Sequence, residues 1–304
     1  MQHEREPAPS ARNAPLNIER VTLAPGLYVV ATPIGNLADV TLRALSVLAS
    51  ADLVLCEDTR VTRRLLDRYG LRPSLLAYHE HNAASVRPRV LAKLADGETV
   101  ALVSDAGTPL VSDPGYKLVE AAIETGHRIF PVPGASAALA ALIAAGLPTD
   151  RFFFEGFLPA KSGQRQSRIA EISSVPATLV LYETGPRLAA SLADLAAGLG
   201  ARDAAICREL TKKFEEVRRG TLMALAAHYR EAAEPKGEIV VVIAPPSGVA
   251  ERVSPETVDA KLKTALKKLS VKDAAEAVAG ETGVKRREVY QRALALVGSR
   301  EKKK

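Results

Sequence analysis

Two acidic stretches carry side chains able to move a proton. CEDTR (Cys56–Arg60) places two carboxylates, a hydroxyl and a guanidinium at the end of the apolar run Leu53–Cys56. LVSDAGTPLVSDPG places Asp105 directly after the run Thr99–Val103, while its second acid, Asp113, reads as a turn or helix cap. A carboxylate at the end of a buried strand faces whatever binds at that sheet edge, and it can take a proton from an attacking hydroxyl. Glu57 and Asp58 are the first candidates for such a base, then Asp105 and Glu183. Arg60 and Lys212 are candidates for lowering the pKa of the hydroxyl. YHEHN (Tyr78–Asn82) adds His79 and His81. Two histidines so spaced hold a metal only with a third ligand, which the sequence does not identify, so no metal is expected and a polar substrate rim is the favoured reading.

The loop Ser104–Gly115 contains no Lys or Arg, so it does not suit a phosphate-rich ligand. Small Ala106 and Gly107 let a ligand reach the backbone. A cationic or hydroxyl-rich ligand fits, and a sulfonium joined to an amino acid and a nucleoside has that character. No GxGxxG follows the first strand and no GxxxxGK[ST] occurs, so neither a dinucleotide fingerprint nor a P-loop is present. Gly35 in ATPIGN permits close backbone approach. PGAS (Pro133–Ser136) puts Ser136 at a helix start, where free N–H groups take a carboxylate or ribose oxygen. YETG (Tyr182–Gly185) ends a later strand and can close a crevice from the other side. Each motif alone also reads as a connecting loop, a turn or a cap.

The elements that must position these residues alternate. Strands are expected at Leu27–Ala31, Leu53–Cys56, Thr99–Val103 and Arg128–Val132. Helices are expected at Asp39–Ala49 with Asp39 as N-cap, Val61–Tyr69, Pro88–Ala95, Gly115–Glu124 and Ser136–Ala145. This is an α/β pattern with a mostly parallel sheet covered on both faces. Near Thr149 a second unit begins, with strands Phe152–Phe157, Thr178–Tyr182, Ala204–Arg208 and Glu238–Ile243 and a helix Leu188–Leu199. The expected organisation is an extension over 1–20, α/β domains over 21–148 and 149–247, and a helical basic segment over 248–304. That segment shows helical spacing at Glu256–Leu269, Val271–Ala279 and Val284–Val297, the last two joined by a Gly-containing turn like a helix-turn-helix.

The 304 residues, 47% of them hydrophobic, can bury two cores. No apolar run approaches the ~18 residues of a membrane helix, and the first 15 residues lack the apolar stretch of a secretory leader. Cys56 and Cys207 give no disulfide framework, so a reducing cytoplasm is expected. Residues 251–304 hold 14 basic and 8 acidic residues, the whole formal excess of +6. A basic segment on a neutral body suggests a polyanion, as does a solvated helix face. Candidate nucleic-acid contacts are Arg63, Arg64 and Arg68, then His79 and His81, then Lys161, Arg165 and Arg168, and Lys285, Arg286 and Arg287.

ATPIGNLADVTLRAL, CEDTRVTRRLL, YHEHN, LVSDAGTPLVSDPG, PVPGASAALAAL, FFFEGFLPAK, YETGPRL and CRELTKKFEEVRRG occur in this order. Together they resemble the ribosomal-RNA-modifying branch of the tetrapyrrole methylase superfamily, over about residues 22–245. The resemblance implies two α/β domains with S-adenosylmethionine in the cleft between them, no metal, and a homodimer. It also implies methylation of a cytidine ribose 2′-oxygen in small-subunit ribosomal RNA. Donor contacts would come from Pro33 and Gly35, from Ser104, Asp105, Ala106, Gly107, Thr108 and Pro109, from Ser136 and Ala137, from Tyr182 and Leu210, and from Gly237 and Ile239. Superfamily members usually carry a Gly-rich first loop and a GDP turn after the third strand. TPIGN and SDAGTP stand there here, which argues against a porphyrin substrate. Two rivals stay open at this point: a methyltransferase of a small tetrapyrrole, and a nucleic-acid-binding regulator without catalysis.

Overall fold

The computed structural model describes residues 18–113, 115–246, 255–282, 284 and 286–301. The first unit contains β1 (Gly26–Val30), α1 (Leu42–Ser50), β2 (Leu53–Cys56), α2 (Thr59–Arg68), β3 (Leu75–Ala77), α3 (Ala83–Ala95), β4 (Thr99–Leu102), α4 (Tyr116–Glu124), β5 (Ile129–Val132) and α5 (Ala137–Ala145). Its five strands are all parallel, in the order β3-β2-β4-β1-β5. The apolar strands are covered on both faces, by Leu48 and Leu66 with Val54 on one side and by Leu94 and Leu118 with Leu55 and Leu102 on the other. The chain leaves β1 toward one edge and returns past it to β5, so the order reverses between β1 and β4. Loops after strands flanking such a reversal splay apart and leave a crevice. Here Thr32, after β1, and Gly107, after β4, exchange backbone hydrogen bonds of 2.8 and 3.0 Å across its floor.

The second unit contains β6 (Phe152–Phe157), α6 (Ser162–Ile172), β7 (Thr178–Thr184), α7 (Gly185–Leu199), β8 (Asp203–Arg208), β9 (Glu216–Thr221), α8 (Leu222–Glu231) and β10 (Glu238–Ile243). Its sheet runs β6-β7-β10-β8-β9, with only β6 and β7 parallel. Helices α6, α7 and α8 cover one face through Ile169, Leu188, Leu192 and Leu225. The other face is covered by α5 of the first unit. Ala138, Ala141, Leu142 and Ala145 pack on Val180, Ala205, Val240 and Val242. Alanine on that stripe lets the helix approach the sheet closely, and Gly146, at φ 72°, stops it in the left-handed conformation a side chain resists. Helices α9 (Pro255–Ala265), α10 (Val271–Thr282) and α11 (Arg286–Glu301) have a core of their own, built on Val258, Leu262, Val278 and Val289.

Several expectations need correction. Thr41, not Asp39, caps α1 by accepting the Ala44 N–H. Helix α3 starts at Ala83 and carries Pro88 within its first turns, and α2 starts at Thr59. Strand β3, helix α6, edge strand β9 and helix α8 were not expected from the pattern. Strand β3 has three residues, and β9 reads EVRRGT, whose charges mark an exposed edge rather than an apolar run. Helix α10 continues through Gly280 to Thr282 where a turn was expected. Residues 1–17 of the expected extension and residues 247–254 lie outside the described residues; Ile18 packs against the first core.

Candidate functional site

A cavity of about 260 Å³ opens between the two units. The first unit supplies Ile34, the loop residues Ala106, Gly107, Thr108, Val111, Ser112 and Asp113, and the α5 start at Ser136 and Ala137. The second supplies Phe157, Tyr182, Glu183, Thr184, Cys207, Leu210, Gly237, Glu238, Ile239 and Val240. No Lys or Arg lines it. Of the expected donor contacts, Ala106, Gly107, Thr108, Ser136, Ala137, Tyr182, Leu210, Gly237 and Ile239 line the cavity; Pro33, Gly35, Ser104, Asp105 and Pro109 are not in its lining. Ser104 carries the wall from beneath, its carbonyl accepting the Thr32 hydroxyl at 3.1 Å.

Backbone conformation around this cavity is unusual. The non-glycine residues with positive φ among the described residues are Leu110 (75°), Ser112 (65°), Glu209 (50°) and Thr211 (65°), two on each side of the cleft. Such conformations cost of order 1–3 kcal/mol each and persist where a site demands them. The two sides are clasped together. The Asn36 N–H donates to the Thr211 hydroxyl at 3.2 Å, and the Lys212 stem lies over Gly35, where an added Cβ would sit 2.4 Å from Lys212 Cγ. At Gly237, φ 97°, a Cβ would meet the Glu209 carboxyl at 2.3 Å. Gly35 therefore acts by letting the second unit close, a role its loop position alone did not reveal.

On the first-unit side carboxyls gather with no Lys or Arg paired to them except at Asp58; of these only Asp113 lines the cavity itself. Glu57 follows β2, and burial, then the neighbouring Asp105 charge, pushes its carboxyl up. Asp105 accepts the Asp58 N–H at 3.0 Å. Asp113 is half-buried; burial and the charges of Glu57 and Asp105 raise its pKa to about 6, against a restraining hydrogen bond from Ser104. Beside Glu57 stands His79, whose buried Nδ1 has no hydrogen-bond partner, with the His81 ring 6.0 Å away. Asp58, expected as a base, is the exception: it is paired. It is the N-cap of α2, accepting the Arg60 N–H at 2.8 Å and the Arg60 guanidinium at 2.7 Å, which hold its carboxyl down to about 2. Arg60 is committed to the same cap and lies outside the cavity lining.

On the second-unit wall every carboxyl is engaged. Glu183 is buried; its Oε2 accepts the Ser191 hydroxyl, its Oε1 accepts the Thr184 N–H at 2.9 Å, and Arg187 Nε lies 3.3 Å away. It lines the cavity, and the carboxylate expected as a base is engaged with α7 through Ser191. Lys212 joins Glu209 at 2.8 Å to Glu238 at 3.1 Å. Burial opposes its charge, but these two hydrogen bonds outweigh that and raise its pKa. Tyr182 faces Asp113 across the cavity, its hydroxyl at the Ala138 backbone of α5, and burial pushes its pKa up. Cys207 is a buried wall residue with its thiol raised to about 11. The lining residues that the sequence did not nominate are chiefly apolar or alternate along β8 and β10. Asp113 was visible there only as a turn residue.

The basic candidates separate into two kinds. Arg64 and Arg68 are exposed and Arg63 half-exposed on α2, none with an ion-pair partner among the described residues; Lys161 and Arg287 are exposed likewise. Arg165 is 5% exposed. It pairs with Asp194 at 2.6 Å and donates to the Ala160 carbonyl, so it joins α6 to α7. Arg168 is held by Glu155 and Glu171, and Arg286 by Glu276 at 3.0 Å. Lys285 lies outside the described residues. Among the described residues no group of His, Cys, Asp or Glu is placed to hold a metal ion, and no helix is long and apolar enough to cross a membrane.

The chain matches the family of tetrapyrrole (corrin/porphyrin) methylases over residues 26–226, and an RsmI C-terminal HTH domain over 252–297. The ribosomal RNA small subunit methyltransferase I of Mesorhizobium japonicum is 55% identical over 275 residues, spanning 90% of this chain and 93% of the relative. Diphthine synthase superposes with a TM-score of 0.57 at 18% identity, covering 72% of this chain and 89% of that one. Uroporphyrin-III C-methyl transferase from Thermus thermophilus complexed with S-adenyl homocysteine gives 0.50 at 21% identity, covering 72% and 97%. These two structures share the fold with this chain.

Proposed function

The chain belongs to the tetrapyrrole methylase family, and on that premise we propose that it transfers the methyl group of S-adenosylmethionine to the ribose 2′-oxygen of a cytidine in small-subunit ribosomal RNA. It is an enzyme, a methyltransferase of small-subunit ribosomal RNA. The observation that carries the donor assignment is the cavity itself, which forms where the strand order reverses and is lined by no cation. Its residues fit such a donor. The α5 start at Ser136 has no side-chain cap, so first-turn N–H groups other than that of Ala138, which meets the Tyr182 hydroxyl, can take a carboxylate. Carboxyl groups stand around it for a sulfonium, and Ile34, Leu210 and Val240 offer apolar surface for a purine. The donor supplies an activated methyl group, and the chain supplies alignment and a proton acceptor.

RNA would approach along α2, which starts at the same sheet edge as the cavity and presents Arg63, Arg64 and Arg68. The helical segment would add Arg287, and Lys161 lies across the cleft. Cytidine recognition would use an unpaired, splayed nucleotide. A homodimer, which the resemblance implies, and a reducing cytoplasm, expected from the two cysteines, complete this reading. The test incubates the purified chain with labelled S-adenosylmethionine and small ribosomal subunits lacking the modification, then identifies the nucleosides by mass. 2′-O-methylcytidine is the expected product. Donor binding without any methyl on RNA would overturn the acceptor assignment, and no donor binding would overturn the whole.

A further inference from the structure

We propose that Asp113 is the base of this methyl transfer: its carboxylate, on the first-unit wall of the cavity, accepts the proton of the attacking ribose hydroxyl. The inference rests on the methyltransferase reading above and names the group within it that does the proton chemistry.

Three carboxyl residues line the cavity, Asp113, Glu183 and Glu238. Glu183 is closed on itself by Ser191, Arg187 and the Thr184 N–H. Glu238 is paired with Lys212 at 3.1 Å, a lysine it shares with Glu209. Among the described residues Asp113 alone of the three has no cation partner. The groups facing it are the Ser104 hydroxyl beneath, the carboxylates Glu57 and Asp105 on its own wall, and Tyr182 opposite. The Ser104 hydroxyl is shared with the carbonyls of Ala106 and Gly107 at 3.2 and 3.4 Å, so it tethers Asp113 weakly. The loop presents Asp113 through two residues held at positive φ, Leu110 and Ser112, an arrangement that costs stability and keeps the side chain at the cavity rather than in solvent. A carboxyl raised to about 6 is half-protonated close to working pH and accepts a proton better than an ordinary carboxylate.

The step balances. The ribose O–H bond breaks and its proton passes to an Asp113 oxygen. The freed oxygen pair forms the bond to the methyl carbon, while the carbon–sulfur pair departs with sulfur, turning sulfonium into thioether. The proton then leaves Asp113 to water.

Asp113→Asn keeps the shape and removes the acceptor. Turnover should fall at least about 100-fold at pH 7.5. The donor Kd, measured by calorimetry, should stay within about threefold of wild type. Asp113→Glu should restore part of the turnover, and the wild-type loss of turnover below about pH 6 should vanish from the residual activity of the Asn variant. A readout without donor or RNA is the melting temperature across pH 4–8. The folded chain holds its Asp113 proton to higher pH than the unfolded chain, so wild type should lose stability as pH rises from about 4 to about 6, and Asp113→Asn should not. Turnover of the Asn variant above a third of wild type overturns the proposal. So does loss of donor binding in that variant, which would make Asp113 a donor ligand, and so does an unchanged melting profile. A wild-type chain that binds donor but methylates no RNA instead overturns the parent reading, and the Asn variant does not produce that pattern.

Discussion

The two walls of the cleft treat the same functional group in opposite ways. On the first-unit wall Glu57, Asp105 and Asp113 crowd together with no Lys or Arg between them, and Glu57 and Asp113 are pushed toward the protonated form. On the second-unit wall Glu183, Glu209 and Glu238 are each met by a hydroxyl, a guanidinium or Lys212. A carboxylate with partners stabilises a fold and is chemically quiet, whereas one among like charges destabilises the fold and is reactive. The contrast shows that a site is found less by its acidic residues than by what is withheld from them.

Substitutions on opposite walls should therefore differ in sign. Glu183→Ala should cost the most, about 3 kcal/mol, because it orphans Arg187 and Ser191 inside the second unit. Urea denaturation would show it, and a loss below about 1 kcal/mol would erase the distinction between the walls. Next come the arginines. Replacing Arg63, Arg64 and Arg68 with Ala should lower the slope of log K against log salt for RNA binding by about three, near one per residue. Arg165→Ala should leave that slope alone and reduce stability instead. Gly35→Ala pushes a methyl into Lys212 and should weaken donor binding about tenfold by opening the clasp. Asp113→Asn should raise stability at pH 7 by about 1 kcal/mol, after allowance for solvent screening of a half-buried group. Asp58→Asn should do least. Asn caps a helix as well as Asp, so turnover should stay within about twofold. Its acid response runs opposite to that of Asp113: the lowered pKa lends stability above the ordinary carboxylate range, and that stability is lost as pH falls toward about 2.

Much of the fold could be read from the chain because parallel strands buried on both faces appear as continuous apolar runs such as LYVVA and LVLC. The elements that escaped are those whose neighbours decide their state. Strand β9 exists because β8 pairs with it, and α6 exists because Ile169 and Ile172 find a core. The cavity loops were legible from small and acidic residues placed after strands. The roles of individual acids were not. Asp58 and Asp113 look alike in sequence, each beside a second carboxylate or a Pro-Gly turn. Asp58 meets an arginine two residues on, while Asp113 meets the Ser104 hydroxyl and the acids Glu57 and Asp105. Arg165 likewise reads as a surface charge until α7 brings Asp194 against it.

Helix α5 follows the last strand of one sheet and completes the core of the other. The chain therefore cannot be cut into exchangeable modules at the junction before Thr149. A fragment ending there would display an unpaired alanine stripe, and the remainder would lack one face of its sheet. Whatever rearrangements gave rise to this architecture had to carry the helix with its foreign sheet, so inheritance and folding divide this molecule at different places.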